Sequence, residues 1–306
     1  MNPKKILIFG RGQLGTFYKE YFEGKGVEVV TPKVDIRDLE AVRKVVNDIC
    51  PDVVVNCAAK TNIDWCEQNK VETFEVNTLG ADNVAAATDE AGKYLLHISS
   101  GCVQESVSAD DVKSEEDPPN PLCYYAWTKV WAENLIDDRA TRRGLKALIL
   151  RPRQLLSSMA SPRNAFVKML TYSKFIDTPN SCTVVEDLMD ATWSLLEQDA
   201  DGLINIVNPG VTSPYRIAQS LKELIKPDME IERISKDELN SMTLARRIDA
   251  VLATDRLEEY GIVLRSVDER LPEVVTKLNE NLGRASGGEV MKKTEEETKE
   301  KLALVS

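Results

Sequence analysis

The chain has 306 residues and a formal net charge of −11, which argues against a nucleic-acid backbone as partner but not against one nucleotide in a locally basic pocket. Hydrophobic residues at 42% and charged residues at 29% fit an ordinary soluble globular protein with one large core or two modest lobes. No apolar run approaches the length of a membrane span, and Met1-Asn2-Pro3-Lys4-Lys5 leads into a strand without a signal-peptide core.

Lys5-Ile6-Leu7-Ile8-Phe9 is a short apolar run of the kind that forms a buried parallel strand. It ends in Gly10-Arg11-Gly12-Gln13-Leu14-Gly15, a G-x-G-x-x-G turn that opens the next helix. Such glycines let the backbone turn sharply and approach a pyrophosphate, whose charge then sits at the helix N-terminus. The following strand, 27–30, ends in Val30-Thr31-Pro32-Lys33 with no acid at its tip. An acid there would bind the ribose hydroxyls of NAD, so its absence favours NADPH, with NADH as the alternative. Arg11 and Lys33 are placed to face a 2′-phosphate; a solvated surface cation is the plainer reading of each. Asp35 suits the adenine edge or, equally, a cap for the next helix.

Leu39, Val42, Val46 and Ile49 carry helical spacing, Pro51 breaks it, and Val53-Val54-Val55 is the next strand. A long helical segment over about 71–91 precedes a fourth strand, Tyr94 to Ser99. A polar loop with Pro118, Pro119 and Pro121 then leads to a helix carrying Tyr125 and Lys129, followed by the strand Leu145 to Leu150. This alternation predicts an α/β fold, a doubly wound parallel Rossmann sheet with a smaller C-terminal substrate lobe. From about 155 to 180 no clear βα pattern is visible, and Leu203 to Val207 is a further strand. The expected domains are residues 1–155 for the dinucleotide, 156–284 mainly for substrate with segments returning to the first domain, and 285–306 as a charged tail, a loose helix or disordered.

Tyr125 and Lys129, four apart on one helix face, suit a proton donor and the ammonium that stabilises its phenolate. Ser100 follows the fourth strand at the carboxyl edge, where it can donate to a ketone oxygen. Cys102, two residues on, points the same way in extended chain, although a lone cysteine is more often a small buried residue. His97 reads as a packed core residue. With one histidine and no C-x-x-C among Cys50, Cys57, Cys66, Cys102, Cys123 and Cys182, no metal site is expected; the thiols are read as reduced and the protein as cytoplasmic.

The chain resembles the extended short-chain dehydrogenase/reductases, in the branch of dTDP-4-dehydrorhamnose reductases. Within that branch it is similar to plant-type nucleotide-rhamnose synthases, which act as epimerase-reductases on UDP-4-keto-6-deoxyglucose. The resemblance runs to about residue 215, through Asp64-Trp65-Cys66-Glu67, Val71-Glu72-Thr73 with Asn77 and Gly80, Gly101-Cys102, and Tyr125-x-x-x-Lys129. It continues through Ser161-Pro162-Arg163-Asn164 leading to Lys168, Asp177-Thr178-Pro179-Asn180-Ser181, and Asn208-Pro209-Gly210-Val211. It implies a Ser100–Tyr125–Lys129 triad and an epimerising pair of Cys102 and Lys168, which suits proton removal and return on opposite faces of a ring beside a C4 ketone. It adds Ala58, Ala59, Lys60, Asn77 and Arg151 to the cofactor contacts. For the nucleotide-sugar substrate it implies Asn164, Asn180, Ser181 and Arg247 besides Ser100 and Cys102, with Arg247 facing the diphosphate. A homodimer fits the family. The glycine turn is one residue shorter than is usual there, and the neighbours of Arg247 depart from the pattern. Two alternatives share the branch: a reductase without epimerase activity, and a non-catalytic NADP-binding subunit like the regulatory subunit of methionine adenosyltransferase.

Overall fold

The computed structural model describes residues 1–284 and 287–303. The first half alternates as expected: β1 (Lys5–Phe9), α1 (Gln13–Gly24), β2 (Glu28–Val30), α2 (Leu39–Ile49), β3 (Val53–Asn56), α3 (Ile63–Gln68), α4 (Lys70–Phe74), α5 (Gly80–Glu90) and β4 (Tyr94–Ile98). The long helical segment predicted over 71–91 is thus α4 and α5, joined by a π-helical turn over Glu75–Leu79. A two-residue strand, β5 (Val112–Lys113), interrupts the polar loop before α6 (Tyr124–Arg143) and β6 (Ala147–Pro152).

The second half contains β7 (Leu155–Leu156), α7 (Ala165–Met169), β8 (Lys174–Ile176), β9 (Asn180–Val184), α8 (Val185–Glu197) and β10 (Gly202–Ile206). Then come β11 (Asn208–Thr212), α9 (Pro214–Leu224), β12 (Glu232–Ile234), α10 (Lys236–Ser241), β13 (Val251–Leu252), α11 (Asp255–Glu259), α12 (Val267–Arg284) and α13 (Gly287–Ala303).

Six strands form one parallel sheet in the order β10-β6-β4-β3-β1-β2. Its strands read as unbroken apolar runs because helices bury both faces. Ile6, Ile8, Val53, Val55 and Leu96 pack with Tyr18, Phe22 and Leu188 on one side. Leu7, Phe9, Val54 and Leu95 pack with Val42, Val46, Val84 and Ile136 on the other. The chain leaves β1 toward β2 and returns to β3 on the opposite flank, so the carboxyl ends of β1 and β3 part around a crevice. The strand expected at 203–207 is β10, which rejoins this sheet beside β6.

A separate core built from Leu156, Phe166, Phe175, Ile217, Leu221, Leu271 and Val275 holds the C-terminal lobe. Its strands are only two to five residues long, too short to show a period in the sequence. The charged tail continues as α13, and Val290 and Met291 lie against this core; residues 285–286 and 304–306 fall outside the described residues. Among the described residues no helix is long and apolar enough to cross a membrane. Asp38, not Asp35, caps α2, accepting from the Ala41 N–H at 3.0 Å. His97 is buried with its Nδ1 3.3 Å from Asn56 Nδ2, and burial holds it neutral, well below its ordinary pKa.

Candidate active site

The glycine turn is shaped by contact rather than by flexibility alone. Gly10 has φ +102°, and a Cβ there would sit 2.6 Å from the backbone at Cys57 and Ala58. A Cβ on Gly15 would lie 2.0 Å from the Gly10 carbonyl oxygen, so α1 and β1 approach as only glycine allows. In front of Gly12 the space is open, and no side chain caps the first turn of α1. Free N–H groups at a helix start facing open space fit a dinucleotide pyrophosphate. Gln13 and Leu14 begin that helix.

Arg11 reaches from this turn to β2, donating from Nε and Nη2 to the Thr31 carbonyl at 3.1 and 2.5 Å. Lys33 is exposed. Asp35 accepts both backbone and side-chain bonds from Arg37, which hold its carboxyl below the ordinary range. Arg37 also pairs with Glu75 at 3.2 Å and is a fixed cation beside the β2 tip that sequence reasoning passed over. Ala58, Ala59 and Lys60 leave β3 next to the glycine turn. Asn77, inside the π turn, clamps this stretch: its Oδ1 accepts from Lys60 N at 2.7 Å, and its Nδ2 donates to Lys60 O at 3.0 Å and Thr128 Oγ1 at 3.1 Å. Its role is to join the β3 loop to α6.

Helix α6 has no side-chain cap of its own. Glu67, from α3, supplies one by accepting the Tyr124 N–H at 2.6 Å, and so fixes the turn that carries Tyr125. This is what the Asp64-Trp65-Cys66-Glu67 segment does locally, together with the pairing of Asp64 described below. The buried face of α6 carries Tyr125, Thr128, Lys129 and Glu133. Tyr125 lies beside Ser100, whose Oγ accepts the Cys102 N–H at 3.2 Å. Lys129 Nζ donates to the Ile98 carbonyl at 2.8 Å.

Burial pushes the Tyr125 phenol above its ordinary range; Cys102 adds to this and the Ser100 bond opposes it. Burial also lowers Lys129 to about 8, with Glu133 and Cys57 pulling the other way. Loss of water around the phenol, not Lys129, therefore dominates the Tyr125 shift. One consequence concerns stability. A lysine at about 8 in the fold and 10.5 when unfolded carries a charge-burial penalty of roughly 3 kcal/mol, complete below pH 8 and relieved as pH rises to 10.5. Lys129→Met is expected to stabilise the fold by about 1–2 kcal/mol at pH 7, allowing for roughly 1 kcal/mol from the lost Nζ bond. The gain should shrink above pH 8 in urea unfolding; a less stable variant at pH 7 contradicts this.

Arg151, expected among the cofactor contacts, has its guanidinium engaged with Glu133. It forms a buried ion pair with Glu133 at 2.6 Å, with 3% and 7% side-chain exposure, and Glu133 also accepts from Ser99 Oγ. The pair braces the strand end carrying Ser100 against α6.

A cavity of about 510 Å³ opens beyond Ser100 and Tyr125, with Cys102, Arg153, Asn180, Met169, Arg247 and Ile248 in its wall. Arg247 holds Asp64 in a two-pronged pair at 3.1 and 2.6 Å. Burial raises the Asp64 carboxyl, but the bonds from Arg247 and Ala245 outweigh it and keep it below its ordinary range. Asn180 Oδ1 accepts from Arg153 at 2.7 Å and Ala250 N at 3.1 Å, while its Nδ2 donates to Asp249. Asn164 is fully buried, donates to Ser157 O and Met159 O, and caps α7 through Phe166 N. Ser181 accepts the Leu252 N–H at 3.0 Å. Asn164 and Ser181 thus shape the cavity from behind. Lys168 lies on α7 between Ala165 and Met169, which line the cavity, but is not itself in the lining. Arg153 is the wall residue that sequence reasoning missed; a cation at the carboxyl end of a central strand was the available signal.

A doubly wound parallel sheet, a glycine turn at its switch point and a Tyr–Lys helix at the same edge define a Rossmann-type reductase architecture. The chain belongs to the RmlD substrate binding domain family, whose signature matches residues 4–280. It is 28% identical over 285 residues to the bifunctional dTDP-4-dehydrorhamnose 3,5-epimerase/dTDP-4-dehydrorhamnose reductase of Arabidopsis thaliana, covering 90% of this chain and 93% of that one. A trifunctional UDP-glucose 4,6-dehydratase/UDP-4-keto-6-deoxy-D-glucose 3,5-epimerase/UDP-4-keto-L-rhamnose-reductase of the same plant is 29% identical over 286 residues, 90% of this chain. There the chain spans 42% of its relative's length. Among solved structures, a UDP-rhamnose synthase from Acanthamoeba polyphaga mimivirus superposes with a TM-score of 0.82 at 27% identity, covering 89% of this chain and 99% of that one.

Proposed function

We propose that this chain is an NADPH-dependent reductase of a nucleotide-bound 4-keto-6-deoxyhexose, that it also inverts C3 and C5 in the same site, and that its product is a nucleotide-L-rhamnose. The observation that carries the reading is the placing of Ser100 beside the buried Tyr125 phenol, with Lys129 one turn on, next to a cavity with Cys102 in its wall. Residues 1–155 hold the dinucleotide and residues 156–284 most of the sugar nucleotide. Arg11 and Lys33, with no acid at the β2 tip, favour the 2′-phosphate. When bound, NADPH supplies the hydride.

The chain's own residues do the rest. Ser100 and Tyr125 donate to the C4 oxygen and stabilise the negative charge that gathers on it. Tyr125 then passes its proton to that oxygen, and Lys129 favours the phenolate left behind. For epimerisation the same two donors hold the enolate oxygen while Cys102 takes the proton from the neighbouring carbon. Arg247, already bridging α3 to the C-terminal lobe, presents its planar donors to the diphosphate.

In heavy water the wild type should wash deuterium into C3 and C5 of the 4-keto sugar. Cys102→Ser should lose this exchange at least tenfold more than it loses reduction of an already epimerised substrate. A wild type that incorporates no label and yields only the unepimerised alcohol rules out the bifunctional reading.

A further inference from the structure

Arg153 follows the last residue of β6, and its guanidinium touches three separate parts of the cavity wall. Nη1 lies 3.6 Å from Cys102 Sγ, on the turn after β4. Nη2 donates to Asn180 Oδ1 at 2.7 Å and to the Ile248 carbonyl at 2.5 Å. Nε is buried without a hydrogen-bond partner among the described residues. The root of the side chain is fixed too, since the Arg153 N–H donates to Thr183 Oγ1 at 2.9 Å. Its stem packs on Gly101, where a Cβ would come within 2.6 Å of Leu252 Cδ1 and 3.2 Å of Arg153 Cβ and Cδ. The residue before the cysteine is therefore glycine for a steric reason, set by Leu252 and the Arg153 stem together.

The acceptors of this guanidinium are a neutral amide, a neutral carbonyl and a sulfur. Among the described residues no carboxylate pairs with Arg153, whereas the nearby Asp249 is paired with Lys236 at 2.8 Å. An uncompensated cation in a partly dry wall favours an anion on whatever it touches. The titratable and charged groups near this part of the cavity besides Arg153 are Tyr125, Cys66, Cys123, Tyr172, Lys174, Arg247 and Asp249. Lys174 is paired with Glu238, Asp249 with Lys236, and Arg247 with Asp64 until a diphosphate draws its donors.

We propose that Arg153 is the positioning residue for proton transfer at Cys102: its fork, fixed by Asn180 and the Ile248 carbonyl, aims the sulfur into the cavity with an unpaired positive charge beside it. The inference rests on the epimerase reading above. In the step it serves, the thiolate removes the proton from the carbon next to the C4 ketone. The C–H bond breaks, its electron pair moves onto the C4 oxygen as enolate, and an S–H bond forms. A proton from solvent water is then added to the opposite face, restoring the ketone, and the Cys102 S–H gives its proton back to solvent, so the step involves no net oxidation or reduction.

The test uses the full-length protein with Arg153→Met, which keeps the stem without the charge, and Arg153→Lys, which keeps the charge. Alkylation by iodoacetamide at neutral pH, followed peptide by peptide, should be slowed at Cys102 at least tenfold by Arg153→Met and substantially recovered by Arg153→Lys. The exposed Cys50 should react at the same rate in all three proteins and serves as the internal control. Deuterium exchange at C3 and C5 should fall at least tenfold more than reduction of the pre-epimerised substrate in Arg153→Met. An unchanged Cys102 alkylation rate, or equal loss of exchange and reduction, overturns the proposal. If the wild type shows no exchange, the epimerase reading fails and takes the proton-transfer role with it. The failures are distinct: wild-type exchange with an indifferent Arg153→Met sinks only the role of Arg153.

Discussion

Tyr125→Phe is expected to lower ketone reduction by about three orders of magnitude, within the range set by loss of a positioned proton donor. The ring is buried at 8% exposure, so phenylalanine keeps the packing of Ala126, Cys102 and Ile248 around it and removes only the hydroxyl. What is lost is the proton for the C4 oxygen and one of its two donors, with Ser100 left as the other. The glycine turn and Arg11 are untouched, so NADPH affinity, read by fluorescence titration, should change by no more than a few-fold. The phenol is pushed up by burial and stays protonated through the neutral range, so the donor is loaded where the enzyme works. Undiminished turnover in Tyr125→Phe removes the residue from the chemistry.

Arg151→Met is expected to destabilise the fold by about 3–5 kcal/mol, because it strands the Glu133 carboxylate in a site with 7% exposure. Two charged bonds, at 2.9 and 2.6 Å, disappear together. Replacing both partners, with Glu133→Leu added to Arg151→Met, leaves no orphaned charge and should be less harmful than the single change. Urea unfolding of the two variants decides this. A single variant that unfolds like the wild type but binds NADPH poorly would restore Arg151 to the cofactor site.

Much of the fold was legible because buried parallel strands are unbroken apolar runs: 5–9, 53–56 and 94–98 announce themselves, and glycine marks the turn after the first. The Tyr125–Lys129 spacing was legible for the same reason, being local to one helix. What escaped was long-range. The Arg151–Glu133 pair joins a strand end to a helix 18 residues away, and no local pattern distinguishes a bracing arginine from a ligand-binding one. Arg153 and Arg37 gain their places only when β6 and β2 are set in the sheet. Asn77, Asn164 and Ser181 sit in matching motifs, yet their polar atoms are taken by backbone partners visible only in three dimensions. Asp35 reads as a possible cap in the sequence, but Asp38 directly precedes α2 and caps it, while Asp35 binds Arg37.

The most direct measurement is NADPH oxidation by the purified full-length protein, offered UDP-4-keto-6-deoxyglucose and dTDP-4-keto-6-deoxyglucose in turn, with the sugar product analysed. The expected result is consumption of NADPH with at least one of the two, matched by formation of the corresponding nucleotide-L-rhamnose and absent in Tyr125→Phe. Tight NADPH binding with no oxidation in the presence of either nucleotide, or of the pre-epimerised 4-keto sugar, contradicts the account and leaves a dinucleotide-binding protein without this chemistry.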